Sequence, residues 1–184
     1  MFAIDGYENS LVHNHLHPDE PEFDSVDRDQ SIRHILGVDA DLKYPINTKE
    51  DWVGRHLLSN RFRKPRVFLA GDAAHIWVPY AGYGMTAGLA CATNLAWLVV
   101  AALKGWADPS ILDAYEAERH PITEQASHFV MSHAQKMLKA RFPVPQNVEA
   151  LDSEGYAVRT LIGMEADDLN VQQFCGEGLN FGYY

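Results

Sequence analysis

Arg66-Val67-Phe68-Leu69-Ala70-Gly71-Asp72-Ala73-Ala74-His75, followed by Pro79 and then by Gly82-Tyr83-Gly84-Met85-Thr86-Ala87-Gly88, is the stretch on which the reading of this chain turns. Val67 to Ala70 is an unbroken apolar run bounded by Pro65 and Gly71, the pattern of a short, fully buried, parallel-type strand. Such a strand delivers Gly71 and Asp72 to the carboxyl edge of a sheet, where open α/β folds bind ligands. An aspartate there can accept hydrogen bonds from sugar-like hydroxyls. Gly82, Gly84 and Gly88 let a backbone approach a flat ligand closely. The Met85 and Thr86 N–H groups point out of the start of a new helix, a place suited to partial negative charge. The same pattern also fits a strand-turn-helix whose glycines serve only packing.

Downstream, the small-residue helix opened by Tyr80 to Gly88 runs to Leu103, where Lys104 and Gly105 supply a stop. Asp108-Pro109 reads as an N-cap followed by proline at the first helical position, so a second helix starts there. Pro121 is expected to end or kink that helix near Arg119. Ile122, Ala126, Phe129, Val130 and Met137 recur at helical spacing and predict a third, amphipathic helix. The last stretch opens at Phe142 with Pro143 and Pro145 and closes on Gly176, Gly178 and Gly182. Upstream, Ser10 to His17 alternates as a strand ending at Pro18. An acidic stretch follows (Asp19, Glu20, Glu22, Asp24, Asp27, Asp29) with only Arg28 opposite, which reads as a solvated loop entering a helix. Ser31 to Leu36 is a short helix closed by Gly37, and Lys43 to Asn47 and Asp51 to Ser59 read as further strands.

The 184 residues, 47% hydrophobic, suffice for one ordinary domain's worth of core. With 25 acidic against 15 basic side chains the net charge is −10, a field that repels phosphate backbones and anionic lipid, so neither nucleic acid nor a membrane surface is an expected partner. The longest continuous apolar run, Leu95 to Leu103, is far short of the roughly 20 residues of a bilayer span. Met1 to Ser10 has no basic or apolar leader pattern. Cys91 and Cys175, far apart in such a chain, read as reduced thiols of a cytoplasmic protein.

Taken together, these pieces resemble the flavin-dependent aromatic hydroxylases, the single-component FAD monooxygenases of the para-hydroxybenzoate hydroxylase type. The resemblance is carried by Arg66, Val67 to Ala70, Gly71-Asp72-Ala73-Ala74-His75, Pro79, Gly82 and Gly84-Met85-Thr86-Ala87-Gly88. Asn94-Leu95-Ala96-Trp97 and Leu112-Asp113-Ala114-Tyr115-Glu116-Ala117-Glu118-Arg119 continue it in order. It implies an α/β fold of mixed α+β character: part of an FAD/NAD(P)-binding Rossmann-like domain with helices, plus the remnant of a β-sheet substrate domain. The implied cofactor-binding set is Arg66, Gly71, Asp72, Ala73, Pro79, Gly82, Gly84, Met85 and Thr86. Asp72 would hydrogen-bond the FAD ribityl chain, and the Met85 and Thr86 amides would hold the edge of the isoalloxazine that becomes anionic on reduction. The Pro79 carbonyl would lie at the flavin's reactive edge, which makes Pro79 the implied catalytic position. The implied reaction is hydroxylation of an aromatic or phenolic substrate with O2 and NAD(P)H, the flavin supplying the chemistry and the protein the placement.

Departures from the family pattern are Thr86 for an asparagine, Cys91 for an acidic position, Ala81 for a glycine and Val78 for a proline; the last two would reshape the flavin pocket. No Gly-x-Gly-x-x-Gly precedes Arg66. The expected organisation is therefore a carboxyl-proximal part of a longer enzyme. Residues 1–63 form the remnant of the substrate-domain sheet, 64–140 the FAD-binding part, and 141–184 a tail leading towards a further region. The alternative is a non-catalytic remnant or complementing fragment with weak or no FAD binding of its own. Without Rossmann strands, Val67 to Ala70 and Leu95 to Leu103 would expose apolar surface, which can drive assembly to a homodimer or aggregation. His13, His15 and His17 alternate on one strand face, but spacing supplies no fourth ligand, so a polar sheet face is favoured over a metal site. His75 reads as a structural hydrogen-bonding histidine rather than a proton donor.

Overall fold

The computed structural model describes residues 1–16, 22–141 and 144–176. Two compact units are present, Met1–Val53 and Gly54–Tyr184.

In the first unit, β1 (Phe2–Ala3) pairs antiparallel with β2 (Ser10–Leu11), Phe2 opposite Leu11. Asp5 Oδ1 accepts the Tyr7, Glu8 and Asn9 amides in the connection, and these bonds hold its carboxyl down at about 2. The long alternating strand expected from Ser10 is only these two residues, and His17 lies outside the described residues. Helix α1 (Arg28–Leu36) begins one turn earlier than the expected Ser31, because Asp27 caps it by accepting from the Gln30 amide. Gly37 closes it at φ 65, as a left-handed C-cap requires. Arg28 faces Asp24 and Asp51, and Lys49 also faces Asp24, so the acidic loop is partly neutralised by two cations. Lys43 to Asn47 is not strand, and of Asp51 to Ser59 only two residues are.

The second unit carries the rest. β3 (Leu57–Leu58) pairs antiparallel with β6 (His75–Ile76), and β4 (Arg63–Lys64) forms a hairpin with β5 (Val67–Phe68). The expectation of a fully buried parallel strand over Val67 to Ala70 is corrected: β5 has one antiparallel neighbour, and Val67 is 64% exposed. A strand is buried on both faces only when layers cover both, and the described residues place packing against Phe68, Leu69 and Ala70 alone. After Ala70 the chain tightens into a single turn, Gly71–Ala73, with Gly71 left-handed at φ 56.

Helix α2 (Tyr83–Leu103) follows a second tight turn, Tyr80–Gly82. It buries Tyr83, Cys91, Leu98 and Ala101. The opposite stripe of Met85, Leu89, Trp97, Val100 and Leu103 is open, as expected for an apolar face lacking its cover. The nine-residue apolar run understated this helix. With its preceding turn it spans 24 residues, Tyr80–Leu103, and is long and apolar enough by length and composition to cross a bilayer, because glycine and alanine between the larger residues do not break the hydropathy.

The second and third helices expected around Pro121 are one: α3 runs Ala114–Arg141 with Pro121 inside it, entered through a turn at Pro109–Asp113 capped by Asp108. Pro121 is exposed, so the carbonyl it leaves without a helical donor can be solvated. Ala126 and Val130 are buried as expected, together with Thr123, Ser127, His133 and Ala134. Helix α4 (Ser153–Phe174), absent from the sequence reading, packs on α3. Asp152 caps it through the Gly155 amide, and a side chain at Gly155 would collide with the Ala150 carbonyl. The carboxyl-terminal Gly178 to Tyr184 stretch lies outside the described residues.

Two core clusters result. Phe62, Ala74, Cys91, Leu98 and Tyr115 tie the hairpin to α2 and α3. Trp77, Val78, Tyr83, Val130 and Ala134 tie the turn before α2 to the middle of α3.

Candidate functional site

The two clusters meet at the segment between β6 and α2, and there the surface is concave. Asp72, His75, Ile76, Trp77, Val78, Pro79, Gly82, Gly84 and Met85 line an open groove of about 240 Å³. Its floor is set from below. His75 is buried and stacks on Trp77 with ring centroids 4.8 Å apart at 16°. Its Nε2 lies 3.8 Å from Cys91 Sγ, and its ring is 6.3 Å from that of Phe62. Burial pushes the His75 pKa below the ordinary histidine value; Asp72 opposes this and Arg119 adds to it. A neutral imidazole held by stacking is a structural histidine, in keeping with the reading from sequence.

The rim comes from backbone. Pro79 accepts the Gly82 amide at 3.3 Å, and Ala81 and Gly82 both take left-handed conformations, φ 66 and 73, before the chain enters α2. Two consecutive left-handed residues reverse the chain sharply and aim the start of the helix into the groove. Tyr83, Gly84 and Met85 hold the first three helical positions, whose amides have no acceptor within the helix. Thr86 is one step further, where the helical ladder has begun. The Tyr83 hydroxyl donates to the Gln173 carbonyl at 3.0 Å and so anchors this turn to α4, while burial raises its pKa.

Of the residues singled out from sequence, the groove gathers Asp72, Pro79, Gly82, Gly84 and Met85. Gly71 and Ala73 sit in the turn around Asp72 without lining it. Arg66 is exposed at the tip of the β4–β5 hairpin, and Thr86 lines a separate, water-sized cavity with Arg119. Gly88 faces the Asp72 turn: a side chain there would meet Gly71 Cα at 3.5 Å, an ordinary contact, so the packing of α2 on that turn leaves room for a methyl. The sequence reading missed Ile76 and Trp77 as lining residues. Alternation gave no signal for them, since His75 to Pro79 all line the groove consecutively. Among the described residues no three His, Cys, Asp or Glu side chains are arranged to hold a metal ion. His13 packs on Phe2, and His120, His128 and His133 go to separate partners: the Ser59 carbonyl, His56 and Gln173.

The groove is thus lined by a carboxylate, left-handed backbone, the start of a helix and an indole, a combination chemically suited to a flat ring with a polar edge. Residues 11–130 match the FAD binding domain family, and the chain belongs to it. It is 44% identical to the rifampicin monooxygenase of Streptomyces venezuelae over 68% of this chain and 26% of that protein. It is 31% identical to the FAD-dependent monooxygenase opdD of Penicillium oxalicum over 95% of this chain and 35% of that one. Among solved structures, the rebeccamycin biosynthetic enzyme RebC with reduced flavin superposes with a TM-score of 0.68 at 27% identity, covering 87% of this chain and 30% of RebC. The fold is accordingly that of the FAD-dependent monooxygenases, of mixed helix and strand. The chain spans about a quarter to a third of the length of the curated relatives it matches.

The residues present fit the flavin ring. No atom stands within 4 Å of where a Gly82 side chain would be, so a ring can lie against that backbone. The indole Nε1 of Trp77 is buried with no hydrogen-bond partner among the described residues.

Proposed function

We propose that this chain is the carboxyl-proximal part of an FAD-dependent monooxygenase that hydroxylates an aromatic or polyketide-type substrate using O2 and NAD(P)H. The observation that carries the reading is the convergence of Asp72, Pro79, Gly82, Gly84 and Met85 on one groove. The names of the relatives support it: a rifampicin monooxygenase, a 4-methyl-5-nitrocatechol 5-monooxygenase and a tetracenomycin B2 monooxygenase-dioxygenase.

In this reading the bound flavin supplies the redox and oxygen chemistry. Asp72, exposed at the groove's edge, accepts from ribityl hydroxyls. The amides of Gly84 and Met85, without an acceptor inside the helix and at the positive end of the α2 dipole, would face the ring edge that gains negative charge on reduction. The Pro79 carbonyl and the left-handed Ala81–Gly82 backbone would fix the ring's reactive side, with the stacked His75 and Trp77 forming a wall of the groove. Gly71 and Ala73 would support the cofactor from the turn around Asp72, whereas Arg66 and Thr86, implied by the family resemblance, stand away from the groove. Residues 1–63 act as part of the substrate-domain sheet, residues 64–140 as part of the flavin domain, and 141–184 lead towards a further region.

Titration of the purified chain with FAD, followed by flavin absorbance and fluorescence, tests this. The chain is expected to take up FAD and remain yellow on dialysis. Asp72→Ala should weaken binding by about tenfold, the loss of one or two hydrogen bonds to a charged acceptor, with little change in thermal stability. A chain that stays colourless in excess FAD would refute independent flavin binding and leave the non-catalytic reading.

A further inference from the structure

Trp77 is 92% buried, yet its indole N–H donates to nothing among the described residues. A buried donor left without an acceptor costs on the order of 1–3 kcal/mol, and folded proteins seldom tolerate it where the group can turn to water or to a neighbour. Trp77 cannot turn. One face stacks on His75, and the ring is wedged in the cluster of Val78, Tyr83, Val130 and Ala134. The indole is also a wall of the groove, and Nε1 stands beside Gly84: a side chain on Gly84 would come to 4.0 Å from it and meet nothing else within that distance. The donor is itself shielded from solvent and lies against the groove wall at the start of α2, where the Gly84 and Met85 amides have no acceptor within the helix.

We infer that Trp77 is a flavin-positioning residue whose indole N–H donates to an oxygen or nitrogen acceptor on the edge of the isoalloxazine, beside the amides at the start of α2. The inference rests on the proposed function, since it takes FAD as the occupant of the groove. A side-chain donor locked by stacking differs from backbone amides in one respect: its loss is a single substitution that leaves the helix start intact. Because a donor to the pyrimidine edge binds a charged reduced ring more strongly than a neutral oxidised one, it also raises the midpoint potential of the bound flavin.

The test uses the full 184-residue chain and FAD itself. Trp77→Phe keeps an aromatic ring on His75 and removes the N–H. Gly84→Ala keeps the indole and sets a methyl in front of it. Folding of both is checked by circular dichroism, and Gly84→Ala decides the matter if Trp77→Phe does not fold. Each variant is expected to bind FAD about three- to tenfold more weakly and to shift the flavin midpoint potential to a more negative value. A folded Trp77→Phe chain with wild-type affinity and potential overturns the assignment alone. Unchanged FAD binding with weakened binding of a phenol also overturns it, placing the donor on the substrate instead. A wild-type chain that takes up no FAD overturns it together with the proposed function.

Discussion

Glu116 on α3 holds the strand that leads to the groove, and removing its carboxylate should loosen that strand measurably. Its Oε2 accepts the Phe62 amide at 2.7 Å and the Arg63 amide at 2.9 Å, both at the start of the β4–β5 hairpin. Phe62 is fully buried, so its amide has no route to water once the acceptor is gone. A hydrogen bond to a charged group contributes about 1.5–3 kcal/mol, and a buried amide left unpaired costs about 1–3 kcal/mol. Glu116 is half-buried rather than sealed, which favours the lower end, so Glu116→Ala should cost about 2 kcal/mol. The carboxyl also carries a pH signature. The Arg63 amide, first, and the Phe62 amide hold the Glu116 pKa below its ordinary value of 4.5, against a smaller opposing effect of burial. A folded-state pKa depressed in this way contributes stability that is present above pH 4.5 and lost as pH falls through the lower, native value. Urea denaturation followed by circular dichroism measures both effects. Glu116→Ala should shift the midpoint at pH 7 without changing the slope. Glu116→Gln should lie between it and wild type, and the gap between Glu116→Gln and wild type should narrow as pH falls through the depressed native value. A Glu116→Ala chain within about 0.5 kcal/mol of wild type, or a gap constant down to pH 3, would show that the hairpin is held by its apolar packing alone.

Two glycines flanking the groove should respond with opposite signs to alanine. Gly82→Ala, at φ 73 with open space around the new methyl, isolates the cost of a left-handed residue and should destabilise by about 1 kcal/mol in thermal melts. Gly88→Ala, in mid-helix with only an ordinary contact to Gly71, should stabilise by about 0.5–1 kcal/mol in the same melts. Tyr115 is fully buried and its hydroxyl donates to the Leu69 carbonyl at 2.6 Å, so Tyr115→Phe should cost about 1 kcal/mol by urea denaturation.

How much of this was legible in the sequence depended on whether the signal was local. The turn before α2, the end of that helix at Leu103 and the Gly37 cap are fixed by residues adjacent in sequence, and the structure has them where those residues stand. Pro121 misled because the rule that proline ends helices assumes a buried or crowded carbonyl one turn earlier, and here that side of α3 faces solvent. Val67 misled because an apolar run specifies burial without specifying a partner, and its partner is a single antiparallel neighbour. Helix α4 left no periodic apolar stripe to find, since Gly155 is its only buried residue among those described. At the site, Asp72 to Met85 was readable as one contiguous motif. Trp77 was not, because a lone tryptophan between hydrophobic neighbours reads as core; only the geometry shows a core ring with a donor left over.

The open apolar stripe of α2 also governs how the chain behaves in solution. Met85, Leu89, Trp97, Val100 and Leu103 present greasy surface to any copy that comes within contact distance, while a net charge of −10 pushes copies apart. The repulsion reaches only about a Debye length, roughly 30 Å at 0.01 M salt but about 8 Å at 0.15 M, whereas the attraction between apolar faces does not weaken with added salt. Dilute buffer therefore favours dispersed molecules and concentrated salt favours clustering, so the ionic strength chosen for storage decides the colloidal state. Acidification towards the isoelectric point near 5.2 works in the same direction as salt, because the net charge that keeps these stripes from meeting falls to zero there; further protonation builds a positive charge that separates them again.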